Sequence, residues 1–197
     1  MAEAAFSLCV YLGSRPGNRP LFVEAAQQVG RWIGEHQGQL VYGGGNSGLM
    51  GVLAQTARAA GGRVVGVIPQ ALVNKELANH ACDELHVVAT MHERKAMMAE
   101  RSDAFLAIPG GIGTLEELFE IWTWRQLGYH DKPVGVLDAG GYYAKMLAFL
   151  RQAVDDGLMS DWQMQLVRTG SDPATLLQEL VQEAGLPGAT KHLRSII

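Results

Sequence analysis

Short apolar runs alternate along the chain with longer segments whose apolar residues recur at helical spacing. Residues 7–12, 39–42, 63–68, 84–88, 104–108 and 133–137 read as strands, and most of them are apolar on both faces. Helices are predicted over 20–36, 47–60, 91–101, 114–127, 142–156 and 173–184. The last has clear punctuation: Asp172 as N-cap, Pro173 in the first helical position, and Gly185 and Pro187 beyond its end. Strands buried on both sides and separated by helices imply parallel βαβ units with right-handed crossovers. The expected fold is α/β, a doubly wound parallel sheet with helices on both faces.

A chain of 197 residues can bury one sizeable core, and the alternation leaves no place for a boundary, so residues 1–197 read as a single domain. The net charge of −4 and the scattered histidines leave no basic face for nucleic acid or an anionic membrane. The expected partner is a small anionic metabolite. Cys9 and Cys82 lie in apolar segments without a second cysteine at ligand spacing, which fits a reducing compartment and leaves no metal site to expect. Residues 1–6 lack a basic leader region, and no apolar stretch approaches the ~20 residues of a membrane span. A soluble, cytoplasmic protein is expected. Residues 188–197 carry Lys191 and Arg194 without periodicity and read as a mobile end or an arm on a partner subunit.

The candidate chemistry centres on Pro109-Gly110-Gly111-Ile112-Gly113-Thr114-Leu115-Glu116-Glu117, placed between the strand at 104–108 and a helix. Glycines remove the Cβ atoms that would hold a ligand off the backbone, so successive N–H groups and the positive helix end can face a phosphate. Thr114 to Glu117 also reads as a capping box, with Thr114 as N-cap and Glu117 reaching back. A cap alone does not call for the glycine-lined concavity before it.

Three further loops share the carboxyl edge of the sheet, where doubly wound folds bind ligands. They are Gly13-Ser14-Arg15-Pro16-Gly17, the stretch from Gly43 to Gly51, and Met91-His92-Glu93-Arg94-Lys95. Ser14, Gly44, Gly45, Asn46 and Met91 are therefore binding candidates. Gly43-x-Gly45-x-x-Gly48 matches a dinucleotide fingerprint, but the acid expected about twenty residues on is replaced by Gly66-Val67-Ile68-Pro69-Gln70. Hydride chemistry is disfavoured, as is a P-loop nucleotidase, since no Gly-Lys-Ser/Thr follows any glycine loop. Adjacent Arg94 and Lys95 at a helix start sit badly with its positive dipole and point to a phosphate clamp; the alternative is a solvated end offset by Glu93. Glu117 and Glu120 share a helix face with Trp124, and Glu116 points elsewhere. In the first helical turn Glu117 would stay ionised, a fixed negative charge.

At these residues the chain resembles the LOG ("lonely guy") phosphoribohydrolases, whose signature is Pro-Gly-Gly-x-Gly-Thr-x-x-Glu. The likeness includes Gly43-Gly44-Gly45-x-x-Gly48-Leu49-Met50-Gly51, Met91 to Lys95, and Thr123-Trp124-x-Gln126-Leu127-Gly128, and spans residues 6–160. It implies a Rossmann-like homodimer that hydrolyses N6-substituted AMP to free base and ribose 5-phosphate, without a cofactor. By motif position it implies catalytic Arg94 and Glu117, and binding by Lys95, Gly110, Gly111, Ile112, Gly113, Thr114, Leu115, Glu116, Thr123 and Glu76. Two positions depart from the pattern: Arg15-Pro16 replaces a frequent second serine, and Thr90 stands where an acid or serine is common. Both bear on the rim of the site.

Cleaving an N-glycosidic bond passes through an oxocarbenium-like ribose, which calls for negative charge beneath the ring and a delivered water. Glu117 is the candidate for both, Arg94 orients phosphate or ribose, and Lys95 is a secondary cation. Met91, Met98 and Trp124 are candidate walls for the base, and Phe119, Ile121 and Trp122 give the 114–127 helix more apolar surface than one sheet face needs. The rival is a nucleotide-binding module that senses or carries without hydrolysis. A pyridoxal phosphate decarboxylase, an old label of some relatives, needs a Schiff-base lysine, and only Lys95 lies on the ligand edge.

Overall fold

In the computed structural model, residues 4–73 and 78–185 are described. They form one seven-stranded, wholly parallel sheet in the order β4-β3-β2-β1-β5-β6-β7. The strands are β1 (Ser7–Tyr11), β2 (Gln39–Tyr42), β3 (Arg63–Pro69), β4 (Glu84–Val88), β5 (Ala104–Ala107), β6 (Val134–Leu137) and β7 (Val167–Gly170). The helices are α1 (Pro20–Glu35), α2 (Gly48–Ala59), α3 (Met91–Glu100), α4 (Ile112–Gln126), α5 (Ala144–Asp155), α6 (Asp161–Gln165) and α7 (Pro173–Glu183). The expected doubly wound α/β sheet is present.

Side chains alternate across each strand, so the sheet has two separate hydrophobic layers. Leu8, Val10 and Leu12 pack with α1, α2 and α7, whereas Cys9 and Tyr11 face the layer of α3, α4, α5 and α6. Strand order reverses between β1 and β5, whose pairing aligns Leu8 with Ala104 and Tyr11 with Ala107. The loops after both strands therefore leave the same edge side by side.

Two elements escape the sequence pattern. In β7 only Val167 is buried, because this edge strand has one neighbour and exposes Arg168 and Thr169. α6 is five residues long, too short for a period to register, although its capping box of Ser160 and Gln163 is a legible start signal. α7 begins as expected, with Asp172 accepting from Thr175 N at 2.8 Å. Pro187 and residues 188–197 lie outside the described residues.

The tightest helix contact rests on small residues of α1 against α2. A methyl on Gly34 would stand 2.5 Å from the Ala60 Cβ and 2.7 Å from the Ala57 carbonyl oxygen. Gly34→Ala is thus expected to destabilise the protein by roughly 1–3 kcal/mol through overpacking, despite alanine's better helix propensity. Denaturant unfolding checks this; a variant more stable than the wild type would show that the two helices part at no cost.

Candidate active site

The carboxyl edge holds a cavity of about 710 Å³ at the β1–β5 reversal. Its wall includes Gly13, Ser14 and Arg15 after β1, Gly43 after β2, Met91 and Arg94 on α3, and Pro109 through Thr114 with Glu116 and Glu117. Loops far apart in sequence thus meet as the strand pattern implies.

Close backbone packing builds this wall. A Cβ on Gly110 would lie 2.0 Å from Thr114 Oγ1 and 2.8 Å from Gly13 N, and Gly13 N donates to the Pro109 carbonyl at 3.2 Å. Gly111 and Gly113 differ: a Cβ there would meet nothing within 4 Å. Neither has a positive φ, so the fold itself does not require glycine at these two positions. What their bareness provides is access for a ligand to the backbone.

α4 begins at Ile112, two residues earlier than expected, with the extended Gly111 as N-cap and no side-chain hydrogen bond on its first turn. The capping-box reading is therefore corrected: Thr114 is inside the helix and buried, where its side chain packs against Gly110. The placement of Glu117 in the first turn is corrected too, since that turn contains no acidic residue. The positive end of α4 reaches the cavity with no acidic residue in its own first turn and no side-chain cap on Gly111.

Both cations of α3 have partners within the protein. Thr90 Oγ1 accepts from Glu93 N at 3.1 Å, and the Glu93 carboxylate accepts from Ala89 N at 2.9 Å, capping α3. Arg94 is buried, donating from Nε to the Val67 carbonyl at 3.1 Å and from Nη2 to the Gly43 carbonyl at 2.8 Å. A Cβ on Gly43 would stand 2.0 Å from that Nη2, so glycine is required there for the guanidinium to seat. Arg94 and Glu117 line the same cavity.

Lys95 is not in the cavity wall, although Glu116, to which it is bonded, is. Its Nζ donates to Glu116 Oε1 at 2.5 Å and Glu120 Oε1 at 2.9 Å, tying α3 to α4. Glu116 therefore does not point elsewhere; it shares a cation with Glu120 one turn on. Burial opposes the Lys95 ammonium, but the hydrogen bonds it donates to both glutamates outweigh it and hold its pKa above the ordinary lysine value.

Among the sequence-derived candidates, Ser14, Met91, Arg94, Gly110, Gly111, Ile112, Gly113, Thr114, Glu116 and Glu117 line the cavity. Gly44, Gly45, Asn46, Lys95, Leu115 and Thr123 are not in its wall. Gly44 instead accepts from Asn79 N at 2.8 Å and Gly45 bridges Ala78, so this part of the glycine loop braces the sheet edge. Leu115 packs into the core, and exposed Thr123 bonds back to the Phe119 carbonyl at 2.6 Å. Glu76 lies outside the described residues. Met98 is fully buried, and Trp124 faces another cavity of about 500 Å³, with Phe105, Tyr129 and His130, so of the three suggested base walls only Met91 is placed. The sequence reading missed Tyr142, whose hydroxyl donates to the Gly110 carbonyl at 2.5 Å. No periodicity marks it, because it sits between a short 3-10 turn and α5.

A parallel, doubly wound sheet with a helix end among glycine loops at its reversal point defines a Rossmann-like α/β protein. The chain belongs to the family described as "Possible lysine decarboxylase", whose model matches residues 50–180. It is 45% identical over 173 residues to cytokinin riboside 5'-monophosphate phosphoribohydrolase LOG7 of Arabidopsis thaliana, covering 88% of this chain and 80% of that protein. It is 46% identical to a probable enzyme of the same name, LOGL1, from Oryza sativa subsp. japonica, covering 89% of this chain and 78% of that protein. Among solved structures, a Moco carrier protein from Chlamydomonas reinhardtii superposes with a TM-score of 0.68 at 23% identity, covering 91% of this chain and 97% of that one. A molybdenum cofactor binding protein from Rippkaea orientalis gives 0.66 at 24% identity, over 92% and 97% of the two chains. At such identities these two structures bear on the fold alone.

Replacing the cation shared between α3 and α4 tests the ion-pair triad. Lys95→Met is expected to cost about 1–2 kcal/mol at neutral pH, after allowing for the partial exposure of both glutamates. Because the folded pKa is raised, this contribution is complete below the ordinary value of 10.5 and is lost as pH rises through the folded value. Unfolding curves at neutral and alkaline pH read the difference; equal stability of both proteins at neutral pH would remove the triad's role.

Proposed function

We propose that this protein is a phosphoribohydrolase that cleaves the N-glycosidic bond of adenosine-type 5'-monophosphates, releasing free base and ribose 5-phosphate. The observation that carries this reading is the position of Glu117 and Arg94 in the same cavity as the uncapped α4 N-terminus with its two bare glycines. The relatives' printed activity supports it, since the named phosphoribohydrolases align over nearly nine-tenths of the chain.

The 5'-phosphate sits at the N–H groups of residues 111–114, a charge-assisted contact that orients the sugar. Glu117 lies one turn further along α4 and supplies negative charge as the ribose becomes oxocarbenium-like. Its carboxylate also accepts a proton from the attacking water, which adds to the anomeric carbon as the base leaves. Arg94 is held rigid by the Val67 and Gly43 carbonyls and so orients the sugar phosphate without reorganising. Met91, exposed at the start of α3, provides the apolar contact for the base.

The family's decarboxylase description fits these residues poorly. A Schiff-base lysine must be able to lose its proton, whereas Lys95 is held charged by two carboxylates and is not among the residues lining the cavity. Lys132 donates to the Ala99 carbonyl at 2.8 Å, and no described lysine lines the larger cavity.

The protein acts as a cytoplasmic homodimer in this reading. Its thiols, Cys9 and Cys82, are free, and no described helix is long and apolar enough to cross a membrane. Ile121 and Trp122 are spent on the core, but Phe119 is 38% exposed, and Leu127 and Tyr129 extend apolar surface beyond the end of α4 at 61% and 75%. Light scattering is expected to give twice the chain mass of 21.3 kDa, and Phe119→Glu to shift it toward that of one chain. A wild-type monomer at working concentration would end the dimer proposal.

The activity itself is tested by chromatography after incubation with N6-isopentenyl-AMP and, separately, AMP. Free base and ribose 5-phosphate are expected from the wild type. Glu117→Gln should turn over at least about 10²-fold more slowly while still binding AMP. Binding of AMP with no base released by the wild type would instead identify a non-hydrolytic nucleotide-binding module.

A further inference from the structure

The charged side chains in the cavity wall are Arg15, Arg94, Glu116 and Glu117. They do not have equal freedom. Arg94 spends Nε and Nη2 on two backbone carbonyls, and Glu116 is bonded to Lys95. Arg15 is exposed and makes no hydrogen bond, ion pair or ring contact with any described residue. Arg19, four residues on, shows the contrast: it donates to the Gly140 carbonyl at 3.2 Å and lies over the Phe22 ring.

The backbone that carries Arg15 is held closely although its side chain is loose. A Cβ on Gly48 would lie 2.6 Å from both Arg15 N and Arg15 Cα, and 2.5 Å from the Ser14 carbonyl oxygen. Gly13 packs on the other side, where its Cβ would stand 3.3 Å from Gly110 Cα. The segment from Gly13 to Arg15 is thus clamped between the loops after β2 and β5. Arg15 thus lines the cavity from a fixed backbone, as do the residues at the α4 end.

Charge balance says what such a cation is for. A 5'-phosphate arrives with up to two negative charges, and two carboxylates already line the wall. Arg94 offsets one of them, and Lys95 is shared between Glu116 and Glu120. Without Arg15 the wall would carry a net negative charge, leaving only the partial positive charge of α4 to hold the dianion. A guanidinium supplies a full charge and paired donors matched to phosphate oxygens.

We propose that Arg15 is a specificity-determining residue that closes on the phosphate of the ligand and makes the site select phosphorylated over unphosphorylated ribosyl compounds. This rests on the phosphoribohydrolase reading for the identity of the sugar, but not for its test. The Arg15 side chain moves onto the phosphate from the rim, while the α4 backbone holds it from below. The cation expected from Lys95 is in effect supplied by a different loop.

The test is equilibrium binding, which needs no turnover. Ribose 5-phosphate and ribose are titrated calorimetrically into the wild type, Arg15→Ser and Arg15→Lys, with thermal unfolding to confirm that all three fold. Arg15→Ser is expected to weaken ribose 5-phosphate binding roughly tenfold and to flatten its salt dependence, with Arg15→Lys recovering part of the loss. In parallel, kcat/KM for AMP should fall in Arg15→Ser mainly through KM, narrowing the preference for AMP over adenosine. Unchanged ribose 5-phosphate affinity in a folded Arg15→Ser, or no binding by the wild type, overturns the proposal. A wild type that binds ribose 5-phosphate through Arg15 yet releases no base upholds it while refuting hydrolysis; a hydrolase indifferent to Arg15→Ser does the reverse.

Discussion

Side-by-side pairing of β1 with β5 is the constraint on which the site depends. The strand order reverses there, so the helices that follow the two strands pass to opposite faces and leave a crevice at the carboxyl edge. The crevice is usable because Gly13 and Gly110 let the two loops approach within backbone contact. That contact sets the start of α4 at Ile112 and hence the direction of its free N–H groups. Side chains at either glycine would push the loops apart and carry the helix end away from the position where it can meet a phosphate.

Charge is distributed over this frame in two layers. Inside, Arg94 grips the ends of β2 and β3, and Lys95 holds α3 to Glu116 and Glu120 of α4. These contacts tie α3 to the sheet and to α4, and so hold in place the charges that the proposed reaction calls on. Facing the ligand, the cavity presents the α4 end, Glu117, and the rim cation Arg15. Neighbouring residues in one motif, Arg94 and Lys95, reach different elements, the sheet and α4, because adjacent positions on a helix point about a quarter-turn apart.

The two kinds of likeness weigh differently for the same reason. The carrier structures share the sheet and its reversal point at 23–24% identity, and this architecture accommodates many chemistries. The named phosphoribohydrolases are similar at 45–46%. For the proposed hydrolysis, the feature of this chain that bears on the chemistry is the position of Glu117 in the cavity wall.

The run of doubly apolar strands between helices was enough to specify a parallel, two-sided sheet, because parallel strands must be covered on both faces. The anion-binding turn was legible for a similarly local reason: bare glycines between strand and helix have few other uses. Tertiary structure decided the rest. It alone placed α4's start at Ile112, paired Lys95 with Glu116 and Glu120, spent Gly44 and Gly45 on the sheet edge, and brought Tyr142 to Gly110 and Arg15 to the rim. Each of these depends on which distant backbone groups, side chains or charges come within a few ångströms of one another, and chain order carries no information on that until β1 and β5 lie side by side.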